Sequence, residues 1–318
     1  MSQFYKKKKV LVTGAAGFIA GNLINKLVNS GAEVRGTDIS PKPGNFNREA
    51  DYFQANLLSR EECGAAVKGM DYVFHLASVG WGFHENLKRQ PQILTDNLAL
   101  NSNMLDISYK SGIARYLFTS SAAVYPGYLE EMGEDAPWDE PPHGSEKYYA
   151  WSKRMGEIQT EAYYEHHKFP VSIVRLFNPY GPGDNFHPEK SHVIPALIRR
   201  AAAGENPFTV WGSGKPVRSF IYVDDVVRGM LTALEKLPTC RPVNLASKET
   251  SSIRDVVKTV LELTGQNPEI VYQTDKPDGH PRRIALTQRA EEELGMREYV
   301  PLREGLKKAI DWYFKNKS

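Results

Sequence analysis

Short apolar, β-branched runs alternate with longer helical patterns through the first 180 or so residues. The apolar runs are KVLVT, AEVRGTD, DYFQANL, DYVFHLAS, RYLFTSS and VSIVRLF. The segments between them predict helices that begin near Phe18, Arg60, Pro91 and Glu146. Strands that alternate with helices are typical of parallel sheets whose strands are joined by crossover helices. The pattern therefore predicts an α/β fold built on a doubly wound parallel sheet.

The alternation loosens from about Pro179, where YGPGDNFHPEKS and WGSGKPVRS are rich in Gly and Pro. Such segments predict loops that build a second lobe. A helix near Val223, the strand PVNLA and a helix near Ser252 follow. The acidic stretch 126–147 is either a cover over the active site or, as we favour, a solvated connection. We therefore expect a sheet domain made of 1–178 and 220–247, and a smaller mixed α/β lobe made of 179–219 and 248–318.

A glycine turn follows the first predicted strand. In VTGAAGFIAG, Gly14 and Gly17 lie between that strand and a helix start, where backbone amides and the helix dipole can hold a pyrophosphate. Asp38 ends the next strand, and its carboxylate can accept hydrogen bonds from ribose hydroxyls but would repel a 2′-phosphate. The three residues predict a Rossmann-type site that prefers NAD(H) to NADP(H).

A tyrosine and a lysine lie four residues apart in YYAWSK, as Tyr149 and Lys153. Four other Tyr-x-x-x-Lys pairs occur in the chain, so the spacing alone decides nothing. Only this pair opens a predicted helix after a strand that ends in serines, Ser120 and Ser121. Positions four apart share one helix face, so both side chains can point at the same ligand. Ser121, Tyr149 and Lys153 are therefore the candidate catalytic residues.

The chemistry explains why these residue types are needed. Hydride transfer from a carbinol carbon requires the hydroxyl proton to leave, and a phenol with a pKa of about 10 is a poor base at neutral pH. Lys153 and a positively charged nicotinamide would stabilise the tyrosinate. Lowering that pKa by about 3 units requires roughly 4 kcal/mol of differential stabilisation. Ser121 would hydrogen-bond the same substrate oxygen.

The bulk composition excludes several other classes of protein. Forty basic and 38 acidic residues give a net charge of +2, which provides no broad positive field for nucleic acid. Cys63 and Cys240 are the only cysteines and predict neither a disulfide framework nor a metal site. No apolar run reaches the length of about 20 residues that crosses a membrane. A reducing cytoplasm is the expected location.

Taken together, these motifs resemble the extended short-chain dehydrogenase/reductase superfamily, which contains nucleotide-sugar epimerases, dehydratases and reductases. The strings DYVFHLAS, TSSAAVYP, YYAWSK, RLFNPYGPGDNF and FIYVDDV match its motifs in order along nearly the whole chain. Within the superfamily, DNFHPEKSHVIPALIRR, VWGSGKPVRSF and KPDGHPRR are similar to GDP-L-fucose synthases, and GFIAG is similar to GDP-mannose 3,5-epimerases. The resemblance implies a nucleoside-diphosphate sugar substrate, with a GDP-sugar favoured, and a homodimer.

The resemblance also assigns residues. The catalytic positions are Ser121, Tyr149, Lys153 and, as a match to one acid/base residue, His192. The cofactor positions are Gly14, Gly17, Phe18, Ile19, Asp38, Asn56, Leu57, Leu76, Ala77, Ser78, Asn97, Thr119, Tyr149, Lys153 and Phe177. The substrate positions are Ser121, Asn178, His192, Val193, Trp211, Arg218 and Arg282. No metal ligands are assigned.

Two departures from the resemblance bear on the reaction. Both relatives use a cysteine as the second member of the acid/base pair that inverts C3 and C5, and this chain has Ala123 there. A methyl group cannot carry a proton, so His192 can either bind the sugar or transfer a proton without that partner. The fucose synthases consume NADPH, whereas Asp38 favours NAD. An enzyme that returns its hydride to the same substrate needs only a retained NAD.

Four functions follow from these residues. The leading hypothesis is an NAD-dependent nucleotide-sugar epimerase that oxidises C4 to a transient ketone and restores it. A 4-keto-sugar-nucleotide reductase without the inversion step is the second. Inversion at C3 or C5 by substitute groups is the third. A non-catalytic NAD-binding redox sensor is the fourth, although such proteins usually lose the tyrosine or the lysine, and both are present here.

Overall fold

A computed structural model describes residues 3–80, 88–136, 138–142, 146–276 and 278–317. Its main sheet has seven parallel strands in the order β12-β7-β5-β4-β1-β2-β3. The strands are β1 (Lys9–Thr13), β2 (Glu33–Asp38), β3 (Asp51–Gln54), β4 (Tyr72–His75), β5 (Arg115–Ser121), β7 (Val171–Leu176) and β12 (Thr239–Leu245). This order confirms the predicted doubly wound sheet.

Nine helices lie within the described residues, and the predicted starts agree with theirs to within one residue. They are α1 (Phe18–Asn29), α2 (Arg60–Val67), α3 (Gln90–Lys110), α4 (Lys147–His167), α5 (Val193–Ala202), α6 (Val223–Lys236), α7 (Ile253–Leu263), α8 (Gln288–Glu293) and α9 (Leu302–Asn316). Side chains account for two of the starts. The Ser59 side chain accepts from the Glu62 amide at α2, and Ser252 forms a capping box with Asp255 at α7.

Helices cover both faces of the sheet, which explains why its strands are almost continuously apolar. In β1, Val10 and Val12 belong to the core cluster that includes the apolar residues of α1 and α6. Leu11 belongs to the opposite cluster, which includes the apolar residues of α2 and α3. Successive strand residues point to opposite faces, so one short strand contributes to both cores.

A second sheet has the strand order β13-β10-β15-β6. Its strands are β6 (Glu131–Met132), β10 (Val217–Ser219), β13 (Thr250–Ser252) and β15 (Arg282–Ala285). Two further two-stranded sheets pair β8 (Pro179–Tyr180) with β11 (Ile221–Tyr222) and β9 (Phe208–Trp211) with β14 (Ile270–Gln273).

The interpretation of 126–147 as a merely solvated connection is wrong for its described part. Strand β6 joins the second sheet, and Met132 is buried. The backbone carbonyl of Glu134 accepts a hydrogen bond from the buried Arg175. Residues 137 and 143–145 of this stretch lie outside the described residues. Among the helices described, none has both the length and the apolar character needed to cross a membrane.

Candidate active site

The glycine turn joins β1 to α1 at the middle of the main sheet. Gly14 has a φ of +70°, and a Cβ atom there would lie 3.0 Å from the backbone of Ala77. The Gly17 amide donates to the Gly14 carbonyl at 2.9 Å, and helix α1 begins at the next residue, Phe18, followed by Ile19. Only glycine combines this φ with so close a backbone approach. The turn therefore brings bare backbone, with no side chain in the way, to a helix N-terminus, where a pyrophosphate can bind.

A buried hydrogen-bond network fixes the neighbouring strand end. The Thr13 hydroxyl accepts from the amides of Leu76 and Ala77 at 3.1 and 3.0 Å and lies 2.9 Å from Nδ1 of His75. Because the amide oxygen of Asn101 lies 3.1 Å from His75 Nε2 and can only accept, Nε2 carries the proton and Thr13 donates to Nδ1. Burial, and then the charge of Lys153, lowers the pKa of His75 to about 3. The ring is therefore a neutral structural link between β1 and β4.

The Asp38 carboxylate is held at the end of β2 by two backbone amides. Oδ2 accepts from Ala16 at 3.1 Å, and Oδ1 accepts from Ser40 at 2.9 Å. These bonds fix the carboxylate beside the glycine turn, in the position predicted for a ribose partner. The amide oxygen of Asn56 accepts from the Leu58 amide at 3.1 Å, and Leu57 is buried.

Two predicted cofactor positions have side chains that are engaged with the protein. Asn97 is fully buried, and its amide bonds Ser78, both backbone groups of Val79 and the Ile93 carbonyl at 2.8–3.0 Å. It therefore anchors the segment after β4. Phe177 is also fully buried, in the small cluster with Tyr125, and its amide donates to the Leu245 carbonyl at 3.1 Å.

Tyr149 lies in the first turn of α4 and is partly buried. Burial, and then the charge of Glu146, raises its pKa to about 12, while hydrogen bonding with Ser121 and Ser78 lowers it. The structure thus brings the predicted serine and tyrosine together and adds Ser78, which sequence reasoning had assigned only to the cofactor. These protein groups keep Tyr149 a phenol at neutral pH. The lowered pKa expected for the complete site, with a nicotinamide bound, stays a prediction.

Lys153 follows one helical turn later, with 3% of its surface exposed. Its ammonium donates to the Thr119 carbonyl at 2.9 Å and lies 5.6 Å from the centre of the Tyr149 ring. Burial lowers the pKa of Lys153 to about 8, and the charge of Glu157 partly offsets this effect. The ammonium therefore lies beside the Tyr149 ring, one helical turn along the same face.

A buried ion pair between Glu157 and Arg175 lies next to Lys153. Sequence reasoning missed this pair. Glu157 makes two bonds to Arg175, at 2.7 and 3.0 Å, and accepts a third from Ser120. Arg175 also donates to the Tyr125 hydroxyl at 3.0 Å. A signal existed: Glu157 lies four residues after Lys153, and Arg175 interrupts a buried apolar strand, where a charge needs a partner.

His192 immediately precedes α5, and its side chain is 79% exposed. Its Nδ1 lies 3.9 Å from Oδ1 of the buried Asp184, whose carboxylate raises the pKa of His192. Val193 is 47% exposed beside it. Ala123 is buried, so the position of the missing cysteine is filled by a packed methyl group.

Arg218 and Arg283 lie opposite each other in the parallel register of β10 and β15. Burial, and then the charge of Arg283, lowers the pKa of Arg218 to about 10. Arg283 forms an ion pair with Glu146 at 3.3 Å. Arg282, the predicted substrate residue, is one position away, opposite Val217, and pairs with Glu131 at 3.4 Å. The structure thus brings Arg283, rather than Arg282, next to Arg218.

Two other predicted substrate residues are accessible. Trp211 ends β9 and is 57% exposed. Asn178 is exposed with a φ of +41°, and its side chain donates to the Ser219 carbonyl at 2.9 Å. That bond ties the segment after β7 to β10, the strand that carries Arg218.

Comparison with known proteins agrees with this geometry. The sequence pattern of the NAD dependent epimerase/dehydratase family matches residues 10–246. The chain belongs to this family. It is 31% identical over 321 residues to a rice protein named probable GDP-L-fucose synthase 1, an alignment that covers 98% of this chain and 93% of that protein. As a member of the family, the chain is an NAD(P)-dependent enzyme.

Solved structures of family members share the whole architecture. A UDP-glucose 4-epimerase from Thermotoga maritima, solved with UDP-glucose, superimposes with a TM-score of 0.88 at 27% identity, over 98% of this chain and 100% of that one. A UDP-glucuronic acid 4-epimerase mutant from Bacillus cereus, solved with a fluorinated UDP-glucuronic acid and NAD, gives a TM-score of 0.82 at 25% identity, over 96% and 99%.

Proposed function

We propose that this enzyme is an NAD-dependent nucleotide-sugar epimerase, acting on a GDP-hexose through a transient 4-keto intermediate. The observation that carries the proposal is the Asp38 carboxylate, fixed by the amides of Ala16 and Ser40. It suits the two ribose hydroxyls of NAD and opposes the 2′-phosphate of NADP. A tightly retained NAD suits a reaction that takes a hydride from its substrate and gives it back.

The residues present fit the dinucleotide. A side chain at Gly14 would press against the backbone of Ala77, so the tight turn that leads into α1 depends on glycine. We propose that the glycine turn holds the pyrophosphate, that Asp38 holds the ribose, and that Asn56 and Leu57 border the adenine. NAD, when bound, supplies the hydride acceptor and returns the hydride. Leu76, Ala77, Ser78, Thr119 and Phe177 would border the nicotinamide half, with Asn97 as their anchor.

In the proposed mechanism Tyr149 removes the proton from the sugar C4 hydroxyl and later returns it. Ser121 hydrogen-bonds the same oxygen, and Lys153 stabilises the tyrosinate. Reaching the neutral range from a pKa of about 12 requires on the order of 7 kcal/mol of stabilisation. Lys153 alone does not provide this, so the positive charge of the oxidised cofactor is needed as well. Tyr149 would therefore become a base only in the complete site.

We propose that residues 1–178 and 220–247 bind the cofactor and that 179–219 and 248–318 bind the nucleotide sugar. Arg218 and an arginine of β15 would bind the diphosphate, because the planar guanidinium pairs with phosphate oxygens. Arg283 fits this role better than Arg282, because it lies next to Arg218. Asn178, His192, Val193 and Trp211 would contact the remainder of the substrate.

A second function is favoured by the name of the rice relative, a probable GDP-L-fucose synthase. In that reading the enzyme reduces a 4-keto sugar nucleotide with NADH or NADPH and releases the oxidised cofactor. Because Ala123 cannot transfer a proton, the inversion that normally accompanies this reduction would be absent.

The test begins with mass analysis of the dinucleotide that copurifies with the protein. We expect NAD at near one equivalent, and GDP-hexoses to be epimerised without added cofactor. Replacing Tyr149 with Phe should lower turnover about 10²- to 10⁴-fold and leave cofactor affinity unchanged. Steady consumption of NADH or NADPH by a 4-keto sugar nucleotide would select the reductase instead.

We also propose a homodimer joined through helices, in which α4 contributes an apolar face to the interface. The outward face of α4 exposes Tyr148, Met155 and Ile158, which lie at helical spacing. Replacing Met155 and Ile158 with Glu should convert the dimer to monomers in sedimentation experiments. A wild-type monomer would refute this part of the proposal.

A cytoplasmic location stays a prediction.

A further inference from the structure

The carboxylate of Glu146, close to Tyr149 in sequence, belongs to none of the motifs described above. Glu146 directly precedes α4, and Tyr149 lies three residues later, on the same side of the helix. Its Oε2 is 3.3 Å from Nη1 of Arg283, which stands opposite Arg218 in the register of β10 and β15. Glu146 thus connects the helix of Tyr149 with the two arginines of the second sheet.

The charge of Glu146 acts on groups from three different elements. It raises the pKa of Tyr149 on α4, after burial, and the pKa of His192 before α5, after Asp184. On β10 it opposes the burial that lowers the pKa of Arg218. A single carboxylate that reaches all three groups lies among them, where the sugar and diphosphate would meet.

We propose that Glu146 selects the sugar, so that the enzyme accepts nucleotide sugars with an uncharged hexose and discriminates against nucleotide hexuronic acids. The inference rests on the proposed function. Arg218 and Arg283 would balance the two charges of a diphosphate. Glu146 then remains as a negative charge next to the sugar, where a uronic acid would bring a second carboxylate.

The fold alone does not determine this choice. The Thermotoga maritima relative is named for a hexose and the Bacillus cereus relative for a uronic acid, yet both superimpose on this chain. Individual side chains must therefore separate the two substrates. At about 6 Å and an effective dielectric constant of about 40, Coulomb repulsion between two carboxylates corresponds to about a tenfold difference in binding. The partial exposure of Glu146 argues against a larger effect.

The experiment measures binding by calorimetry, and turnover, for two matched substrate pairs. These are UDP-glucose with UDP-glucuronic acid, and GDP-mannose with GDP-mannuronic acid. We expect the wild-type enzyme to prefer the hexose of each pair, and Glu146→Gln to reduce that preference about tenfold. Glu131→Gln is the matched control, because Glu131 also pairs with an arginine of β15, Arg282, and should leave the preference unchanged.

A second variant, Arg283→Gln, distinguishes loss of overall affinity from loss of the preference for the hexose. Arg283→Gln removes a cation from the diphosphate and leaves the charge of Glu146 in place, so affinity for every nucleotide sugar should fall while the preference for the hexose persists. An unchanged preference in Glu146→Gln, or a wild-type enzyme that takes both members of each pair equally, overturns the inference and leaves the proposed function standing. Failure of the wild type to bind any of the four compounds overturns both.

Discussion

Two glutamates lie about three helical turns apart, Glu146 immediately before α4 and Glu157 within it. Each pairs with a strand arginine, but the two pairs lie at very different depths. Glu157 and Arg175 have 6% and 4% of their side-chain surfaces exposed. Glu146 and Arg283 have 47% and 19% exposed. Tyr149 and Lys153 lie between the two pairs in sequence.

The difference in depth gives the pairs different tasks. A buried charge is tolerated only with full hydrogen bonding, and Glu157 has three bonds that leave it no freedom to rearrange. It supports the helix and adds a negative charge one turn from Lys153. An exposed pair contributes little to stability and exchanges partners readily. Arg283 can therefore leave Glu146 for a phosphate, as a binding site requires.

The largest expected effect follows from breaking the buried pair. Glu157→Gln leaves Arg175 as an uncompensated buried charge, which should lower the free energy of unfolding by about 3–5 kcal/mol. Denaturant titration followed by circular dichroism measures this loss.

A double variant provides the control. Glu157→Met combined with Arg175→Met removes both charges and should recover most of the lost stability, because no charge stays buried without a partner. A Glu157→Gln protein as stable as the wild type would show that the buried pair is not the support described above.

The next effect concerns the pH dependence of the reaction. Burial lowers the pKa of Lys153 to about 8, so turnover should fall as the pH rises through 8 and the ammonium is lost. Glu157 raises that pKa, so Glu157→Gln should move this alkaline decline to lower pH. Initial rates of the folded variant across pH 6–10 measure the shift, and an identical decline in both proteins would contradict it.

Deprotonation of Lys153 lowers turnover but should raise the free energy of unfolding. The folded-state pKa of Lys153 lies below its ordinary value of 10.5, so the unfolded chain binds more protons between about pH 8 and 10.5. Stability rises with pH wherever the unfolded state binds more protons. The destabilisation caused by burying this charge is therefore present below pH 8 and diminishes above it.

The smallest effect is expected at the exposed pair. A double-mutant cycle with Glu146→Gln and Arg283→Gln should give a coupling energy of about 0–1 kcal/mol in unfolding experiments. A coupling energy for Glu146 and Arg283 as large as that between Glu157 and Arg175 would contradict the difference between the exposed pair and the buried pair.

Much of the main sheet could be predicted from sequence because each strand is a compact apolar run next to a turn or a helix start. The second sheet could not. Strand β6 has two residues and pairs with β15, about 150 positions later, so no local pattern reveals it. Its partner residues make long-range contacts that only the folded chain brings together.

The site was predictable where one element carries the signal, as for Gly14, Asp38 and the Tyr149–Lys153 pair. The placement of a residue was less predictable where it depends on the pairing register of a strand. Arg282 and Arg283 are adjacent, and a shift of one residue in a strand exchanges its faces. Only the pairing of β15 with β10 shows that Arg283 lies beside Arg218. Asn97, a predicted cofactor position, has its amide committed to protein partners, which the sequence alone did not reveal.

We propose that Tyr149 and Asp38 belong to an enzyme that returns its hydride to the substrate from which it came. The most direct test uses a nucleotide hexose with deuterium at C4, incubated with the purified enzyme and an excess of unlabelled free NAD. We expect an epimerised product that retains its deuterium, with no labelled NADH in solution. Loss of the label to free cofactor, or no change at C4 while another carbon reacts, would contradict it.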